Sequence, residues 1–213
     1  MGHLPSIAFV LASIAFIAAP GPDTMLLMSQ GLAHGKRAAV GIAIGCAGGC
    51  LMHSLLAAVG ISALLATSEV AFSVLKWAGA GYLVYLGIRS FQSDVHVPTS
   101  SADCPPSRIP VLRFVGRGFV CNATNPKVAL FFLSFLPQFV DPSVGSAWTQ
   151  IVIHGIAFAL MLLAMFVALS RFIDRFGQWL RSRSWAEKAL NRIAGFVCIA
   201  LAVRLVSASR TSP

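Results

Sequence analysis

Two ionisable residues follow prolines inside long apolar stretches of the chain. Asp23 comes directly after Pro20-Gly21-Pro22, and Lys127 comes directly after Pro126. Proline removes a backbone N–H and clashes with the preceding helical turn, so we expect a helix break at both places. In hydrocarbon each freed carbonyl must be satisfied by protein, ligand or water. A carboxylate and an ammonium beside two such breaks therefore indicate a polar cavity within a membrane.

Opposite charges at the two breaks suit a zwitterionic ligand. Asp23 would bind an ammonium and Lys127 a carboxylate, and the two side chains could pair when the site is empty. Asn122 and Asn125 would offer amides to the substrate carboxylate or to the broken backbone. The residues expected to shape the opening complete the predicted substrate site: Gly21, Pro22 and Pro126. The predicted ligand is an amino acid.

Two alternatives stay open for the first break. A simple kink would let Asp23 extend to the membrane surface, as charged side chains near helix ends do. A cleaved signal peptide ending near Pro22 would explain the small residues there, but no Lys or Arg precedes the apolar core and apolar residues resume at Met25.

Histidines occupy matching places in the two halves of the chain. His53 lies in the second apolar segment and His154 in the fifth. A histidine titrates near neutral pH, so a buried one within a membrane can relay protons. We therefore consider Asp23, His53 and His154 as proton-coupling candidates, with simple packing as the alternative for the histidines.

Composition places the chain in a membrane. Of its 213 residues 57% are hydrophobic and only 11% charged, against about 25% in soluble domains, and its mean hydropathy is +0.80. Six apolar segments are predicted, with the first break inside the first segment and the second break inside the fourth. They span about residues 5–28, 38–67, 70–91, 118–140, 148–170 and 193–206.

The positive charges alternate between connections. Twelve of the 16 Lys and Arg residues fall in the first, third and fifth connections, whereas the other two connections hold only the acids Glu69 and Asp141. The positive-inside rule therefore predicts basic cytoplasmic loops and two termini on the outer side of the membrane. If the first segment is re-entrant, the N-terminus lies inside instead. The net charge of +9 is then explained by loops facing an anionic bilayer, not by nucleic-acid binding.

The predicted fold is an all-α membrane protein with six transmembrane helices arranged as 3+3 inverted repeats, the first helix of each being broken. Three segments per half give the halves opposite orientations. Residues 1–91 form the first repeat, 92–117 a Pro- and Ser-rich cytoplasmic linker, and 118–213 the second repeat. An amphipathic helix within 171–192 is predicted to lie on the inner membrane surface.

Small residues and cysteines leave further questions. Gly41, Gly45 and Gly49 share one face of the second segment, which favours close helix packing either inside one protomer or in a homodimer. The five cysteines form no C-x-x-C pair and no ligand set with histidine, so neither a metal nor another cofactor is predicted.

In order and spacing, these motifs resemble the LysE/RhtB superfamily of bacterial amino-acid exporters. The resemblance covers nearly the whole chain. It rests on the stretches 20–23, 31–39, 41–45, 75–87, 116–119, 122–127, 131–132 and 136–139. It implies a proton-driven exporter of amino acids or close derivatives in the bacterial inner membrane, most like the branch that exports threonine, homoserine and homoserine lactone. In that membrane the two outer termini are periplasmic. Members with these motifs export different substrates, so the substrate stays open.

Two other functions compete with export. Related three-helix-repeat proteins carry electrons through a cysteine beside each break, but here Asp23 and Lys127 hold those places, with Cys121 as the only nearby thiol. A membrane subunit that transports nothing by itself is the second alternative. An enzyme is not predicted, because no Ser-His or His-Glu-x-x-His pattern is present.

Overall fold

The structure, a computed structural model, describes residues 5–67, 69–92, 109–141, 143–173 and 184–207. Every regular element in these ranges is helical. The α-helices, numbered in chain order, are α1 Ile7–Ala18, α2 Pro22–His34, α3 Lys36–Thr67, α4 Glu69–Gln92, α5 Val111–Ala123, α6 Pro126–Leu130, α7 Ala147–Arg171 and α8 Ser184–Ser207.

The first predicted segment is a pair of helices. Helix α1 ends at Ala18, α2 begins at Pro22, and their axes differ by 53°. Pro22 occupies the first position of α2, where a missing N–H costs no helical hydrogen bond. The break predicted from the sequence is confirmed.

The fourth predicted segment is broken in the same way. Helices α5 and α6 meet at residues 124–125 with a bend of 52°, and α6 continues as one π-helical turn, Phe131–Phe135, and one 3₁₀ turn, Leu136–Phe139. Helix α5 begins at Val111, earlier than the predicted start at Gly118. The basic residues that we assigned to a loop, Arg113 and Arg117, lie on its exposed side while Phe114 faces the core.

The helices account for the six predicted segments. Helices α3 and α7 are each long and apolar enough to cross a membrane, and each bent pair passes the same test as a unit. Helices α4 and α8, of 24 residues each, pack against each other and complete the set. Residues 93–108 of the predicted linker and 174–183 of the predicted surface helix lie outside the described residues.

Helices with the same place in the two halves contact each other. Helix α3 meets α7 where Ser54 Oγ donates to Ile151 O at 3.3 Å. Helix α4 meets α8 so closely that a Cβ on Gly87 would lie 3.0 Å from the carbonyl oxygen of Gly195. Contacts between corresponding helices are what a pseudo-two-fold axis produces, as expected for the predicted inverted repeats.

The glycine face of α3 packs inside the protomer. Its three members, Gly41, Gly45 and Gly49, all face α5. A Cβ on Gly45 would lie 3.0 Å from the backbone of Gly118, and one on Gly49 would lie 2.8 Å from Asn122 Cβ. The question that the sequence left open is therefore decided: this face holds α5 against α3.

Large apolar side chains cover the outside of the described helices. Ile7, Leu11, Leu56, Leu112 and Leu160 are each more than half exposed. Contiguous apolar surface of this kind is unfavourable in water but matches the hydrocarbon core of a bilayer. The exterior agrees with the membrane class predicted from composition.

Hydrogen bonds among Asp141, Ser143 and Gln150 hold the connection that precedes α7. The buried Gln150 side chain donates to Asp141 O at 2.7 Å and accepts from Asp141 N at 3.0 Å. The exposed Asp141 carboxylate accepts from Ser143 N and Ser143 Oγ, and these hydrogen bonds lower the pKa of that carboxyl. The last turn of the second broken helix is thereby tied to the start of α7.

Candidate functional site

The two helix breaks open into one cavity of about 300 Å³, part of it open to solvent. Only about 20 Å³ of it admits the centre of a water-sized sphere, which is room for about one water molecule, so an amino acid could enter only if the lining moved apart. Its polar side is formed by residues of the two breaks, and its apolar side by α1, α6 and α7. The polar side consists of Gly21, Asp23, Thr24, Asn125 and Lys127.

Asp23 is held by the opposite repeat. It is the second residue of α2 and is buried, so its carboxylate lies at a helix N-terminus, where negative charge is stabilised. Asn122 Nδ2 donates to Asp23 Oδ2 at 2.7 Å, and Cys121 Sγ donates to Asp23 Oδ1 at 3.4 Å. The carboxylate therefore faces the protein interior, and the alternative in which it extends to the membrane surface does not hold.

Lys127 satisfies carbonyls that the first break sets free. Its Nζ donates to Ala19 O at 2.8 Å and to Phe16 O at 3.1 Å, and it lies 4.5 Å from the centre of the Phe16 ring. The C-terminus of a helix carries partial negative charge, which an ammonium group complements. A side chain of the second repeat thus supplies hydrogen-bond donors to the carbonyls at the end of α1 in the first repeat.

Asp23 and Lys127 line the same cavity but do not form the ion pair expected for an empty site. The carboxylate is bonded to Asn122 and Cys121, and the ammonium to Phe16 and Ala19. Each charge already has partners supplied by the helix breaks, because a buried charge is costly unless it is hydrogen-bonded. A ligand in the cavity would therefore meet the Asp23 carboxylate and the Lys127 ammonium as two separate groups, not as an ion pair.

The two asparagines have different positions. Asn122 is fully buried behind the cavity lining, where its amide donates to Asp23 and its Oδ1 accepts from Cys50 Sγ at 3.6 Å. Asn125 lines the cavity and caps α6, because its Oδ1 accepts from Lys127 N at 3.0 Å. In this structure Asn122 positions the carboxylate, and Asn125 satisfies the broken backbone.

The prolines and the glycine also differ in position. Pro22 and Pro126 are the first residues of α2 and α6 and lie outside the lining, whereas Gly21 is part of it. A Cβ on Gly21 would lie 3.5 Å from Lys127 Cδ and 3.6 Å from Lys127 Nζ, in ordinary contact. The prolines thus determine where the helices start, while Gly21 leaves space beside the ammonium.

The two histidines are not equivalent. His53 Nε2 donates to Asn122 O at 3.1 Å, and Asn122 in turn donates to Asp23, so His53 and Asp23 share a hydrogen-bond partner. His154 Nδ1 donates to Gln150 O at 2.8 Å and packs against the rings of Phe9 and Phe139, outside the lining. Of the two proton-coupling candidates, His53 belongs to the hydrogen-bonded network of the site and His154 to an aromatic cluster.

Sequence reasoning missed the apolar wall of the cavity. Phe158, Leu162 and Phe166 of α7 line it together with Phe16, Ile17 and Val128. Spacing of four residues puts the three α7 side chains on one helix face. No polar residue marks that face in the sequence, so nothing there distinguished it from the rest of an apolar span.

Comparison with known proteins agrees with this architecture. The family described as LysE type translocator matches residues 14–209. A homoserine/homoserine lactone efflux protein of Salmonella typhimurium is 29% identical over 94% of this chain and 95% of its own length. A leucine efflux protein of Klebsiella pneumoniae is 28% identical over 97% and 96%.

An uncharacterized membrane protein of Vibrio cholerae is 30% identical over 95% of this chain and 96% of the relative. No solved structure matches the chain. The match spans both helix breaks and every residue that lines the cavity. The chain therefore belongs to the family of LysE-type translocators, which makes it a membrane transport protein.

Proposed function

We propose that this protein is a secondary active exporter that moves amino acids out across the bacterial inner membrane in exchange for protons. One observation carries the proposal: a buried carboxylate and a buried ammonium, contributed by the two broken helices, line a single cavity. Two relatives that match almost the full chain are amino-acid efflux proteins by name, for leucine and for homoserine and its lactone.

The zwitterionic backbone of an amino acid is complementary to this cavity. Its ammonium would bind Asp23, and its carboxylate would attract Lys127 away from the carbonyls of Phe16 and Ala19. Exchange of one set of charged hydrogen bonds for another keeps each buried charge paired. Because Lys127 links the two repeats, its movement would also loosen the contact between α1 and α6.

Proton coupling requires a group that substrate and proton cannot occupy together. Asp23 meets that requirement in this proposal, and His53, which donates to the backbone carbonyl of Asn122, is the histidine joined to the same hydrogen-bonded network. One proton entering down a potential of about 100 mV supplies about 2.3 kcal/mol, which supports an outward gradient of about fortyfold. One-for-one exchange therefore supplies enough free energy for export. In the proposed topology the basic loops are cytoplasmic and the termini periplasmic.

Flux through proteoliposomes tests the proposal. With an acidic lumen, the purified full-length protein should accumulate labelled amino acid in the lumen against its concentration gradient. The lumenal pH should rise at the same time, because protons leave in exchange. Absence of flux for every amino acid in a panel of the 20 standard ones and homoserine would reject the exporter.

Asp23→Asn tests the proposed coupling residue. The variant still accepts a hydrogen bond from Asn122 but cannot exchange a proton, so pH-driven accumulation should fall at least about tenfold. Asp141→Asn is the matched control, because Asp141 lies in an exposed connection away from the cavity. Normal pH-driven accumulation by Asp23→Asn would rule out Asp23 as the proton site.

A further inference from the structure

We infer that the transported amino acid has a neutral, apolar side chain, held against the face of α7 formed by Phe158, Leu162 and Phe166. This inference rests on the proposed function and narrows its substrate class. We call these three residues the α7 wall. All three are buried, and all three line the cavity.

The charged groups of the cavity and the three side chains of the α7 wall come from different helices. The charged and hydrogen-bonding groups belong to residues 21–24 and 125–127, at the two breaks. The α7 wall contributes only carbon atoms, and Phe16, Ile17 and Val128 extend it. An amino acid whose backbone engages the breaks would therefore direct its side chain onto an apolar surface.

Charge excludes a cationic or anionic side chain. Asp23 is the single carboxylate, and Lys127 the single ammonium, in the lining formed by the described residues. The α-ammonium and α-carboxylate of the substrate would use both. A second charge would then be buried without an opposite charge beside it, which costs far more than burying an alkyl group gains.

Ring packing behind the cavity holds part of the α7 wall in place. Phe158 packs against Phe131 with ring centres 4.7 Å apart and against Phe132 at 5.3 Å, while Phe16 packs against Phe131 at 4.5 Å. Interlocked rings cannot move singly without losing contacts across α1, α7 and the π-helical turn. Leu162 lies one helical turn from each of the two wall phenylalanines and lines the cavity without being part of this ring cluster.

Competition for uptake into inverted proteoliposomes measures the substrate class. With labelled leucine as the reporter, unlabelled isoleucine, valine and methionine should compete at least about tenfold better than serine, lysine or glutamate, since even one methylene in an apolar pocket changes recognition by about tenfold or more. Strongest competition by lysine, serine or homoserine would overturn this inference while leaving amino-acid export intact. Failure of all amino acids would instead reject the proposed function.

Leu162→Ala tests the wall directly. Space freed at Leu162 should shift the preference from leucine toward phenylalanine by about tenfold, without moving the pH dependence of transport. Leu160→Ala is the matched control: it is the same change on the same helix at a position that is 60% exposed, against 3% for Leu162. Equal loss for all substrates in Leu162→Ala, or the same shift in Leu160→Ala, would contradict selection by the wall.

Discussion

The two helix breaks bend the chain by nearly the same angle, 53° and 52°, but their freed carbonyls are satisfied in different ways. At the first break, α1 depends on Lys127 of the other repeat for bonds to Phe16 O and Ala19 O. At the second break, Thr124 N and Thr124 Oγ1 both donate to Val120 O, and His53 donates to Asn122 O.

This difference indicates how the site can move. At the second break the freed carbonyls accept hydrogen bonds from Thr124, the residue that follows α5, and from His53 of α3. The glycine face of α3 also holds α5 in place. The first break is completed by an ammonium group that a substrate carboxylate can compete for. We therefore expect the second break, together with α3 and α5, to keep its conformation as a fixed frame. The first break is expected to change conformation during transport.

The largest effect should come from removing the donor that crosses between the breaks. Lys127→Met deletes two charged hydrogen bonds to the α1 carbonyls, each contributing about 1.5–3 kcal/mol, so transport should fall about a hundredfold or more. Lys36→Met makes the same change at an exposed lysine and should transport normally. Activity of Lys127→Met close to that of Lys36→Met would show that the first break does not depend on this side chain.

Asn122 joins the frame to the carboxylate of the first break. Asn122→Ala removes the 2.7 Å hydrogen bond to Asp23, and loss of a hydrogen bond to a charged group should lower the initial transport rate about tenfold. The initial rate per folded molecule, compared between the variant and the wild type, measures this effect. An unchanged rate per folded molecule, with only a fall in protein stability, would assign Asn122 to the frame alone.

The frame itself depends on close contact between α3 and α5. A Cβ on Gly45 would lie 2.6 Å from Phe119 N, so Gly45→Ala should lower the free energy of unfolding by about 1–3 kcal/mol. Thermal unfolding of the purified protein measures this. Gly48→Ala is the control, since its Cβ would lie 3.5 Å from Phe119 Cδ2; equal melting temperatures for the two variants would argue against a rigid frame.

The smallest effect is expected within the second break. Thr124→Ala removes the hydroxyl donor to Val120 O, but Thr124 N continues to bond the same oxygen at 3.0 Å. Because this side chain is exposed, stability should change by about 1 kcal/mol or less, with transport within about twofold of the wild type. A loss as large as that of Lys127→Met would mean that both breaks are equally dependent on single side chains.

Local features of the sequence were sufficient to predict the breaks. Pro22 and Pro126 interrupt apolar runs, and a missing N–H acts on its own turn whatever surrounds it. The membrane class, the six segments and the cavity with Asp23 and Lys127 follow from composition, length and the cost of charge in hydrocarbon. Helix α5 was predicted to begin too late, since its amphipathic start carries arginines on the outer face.

Partners that lie far apart in the chain could not be read in this way. The bond from Asn122 to Asp23 and the bonds from Lys127 to the α1 carbonyls join residues about 100 positions apart. The sequence indicated a carboxylate and an ammonium but suggested that they would pair with each other. Their actual partners depend on where the helix ends point, which is settled by packing of the two repeats.

What the amino-acid sequence determined by itself was the list of parts: where helices must break, which residues are ionisable, and that the chain lies in lipid. What only the tertiary structure decided was how those parts are combined. It turned the glycine face of α3 toward α5, brought the unmarked apolar face of α7 to the cavity, and gave each charge a separate partner. The physical reason is that backbone breaks are local, whereas satisfaction of buried polar groups depends on neighbours that only folding brings together.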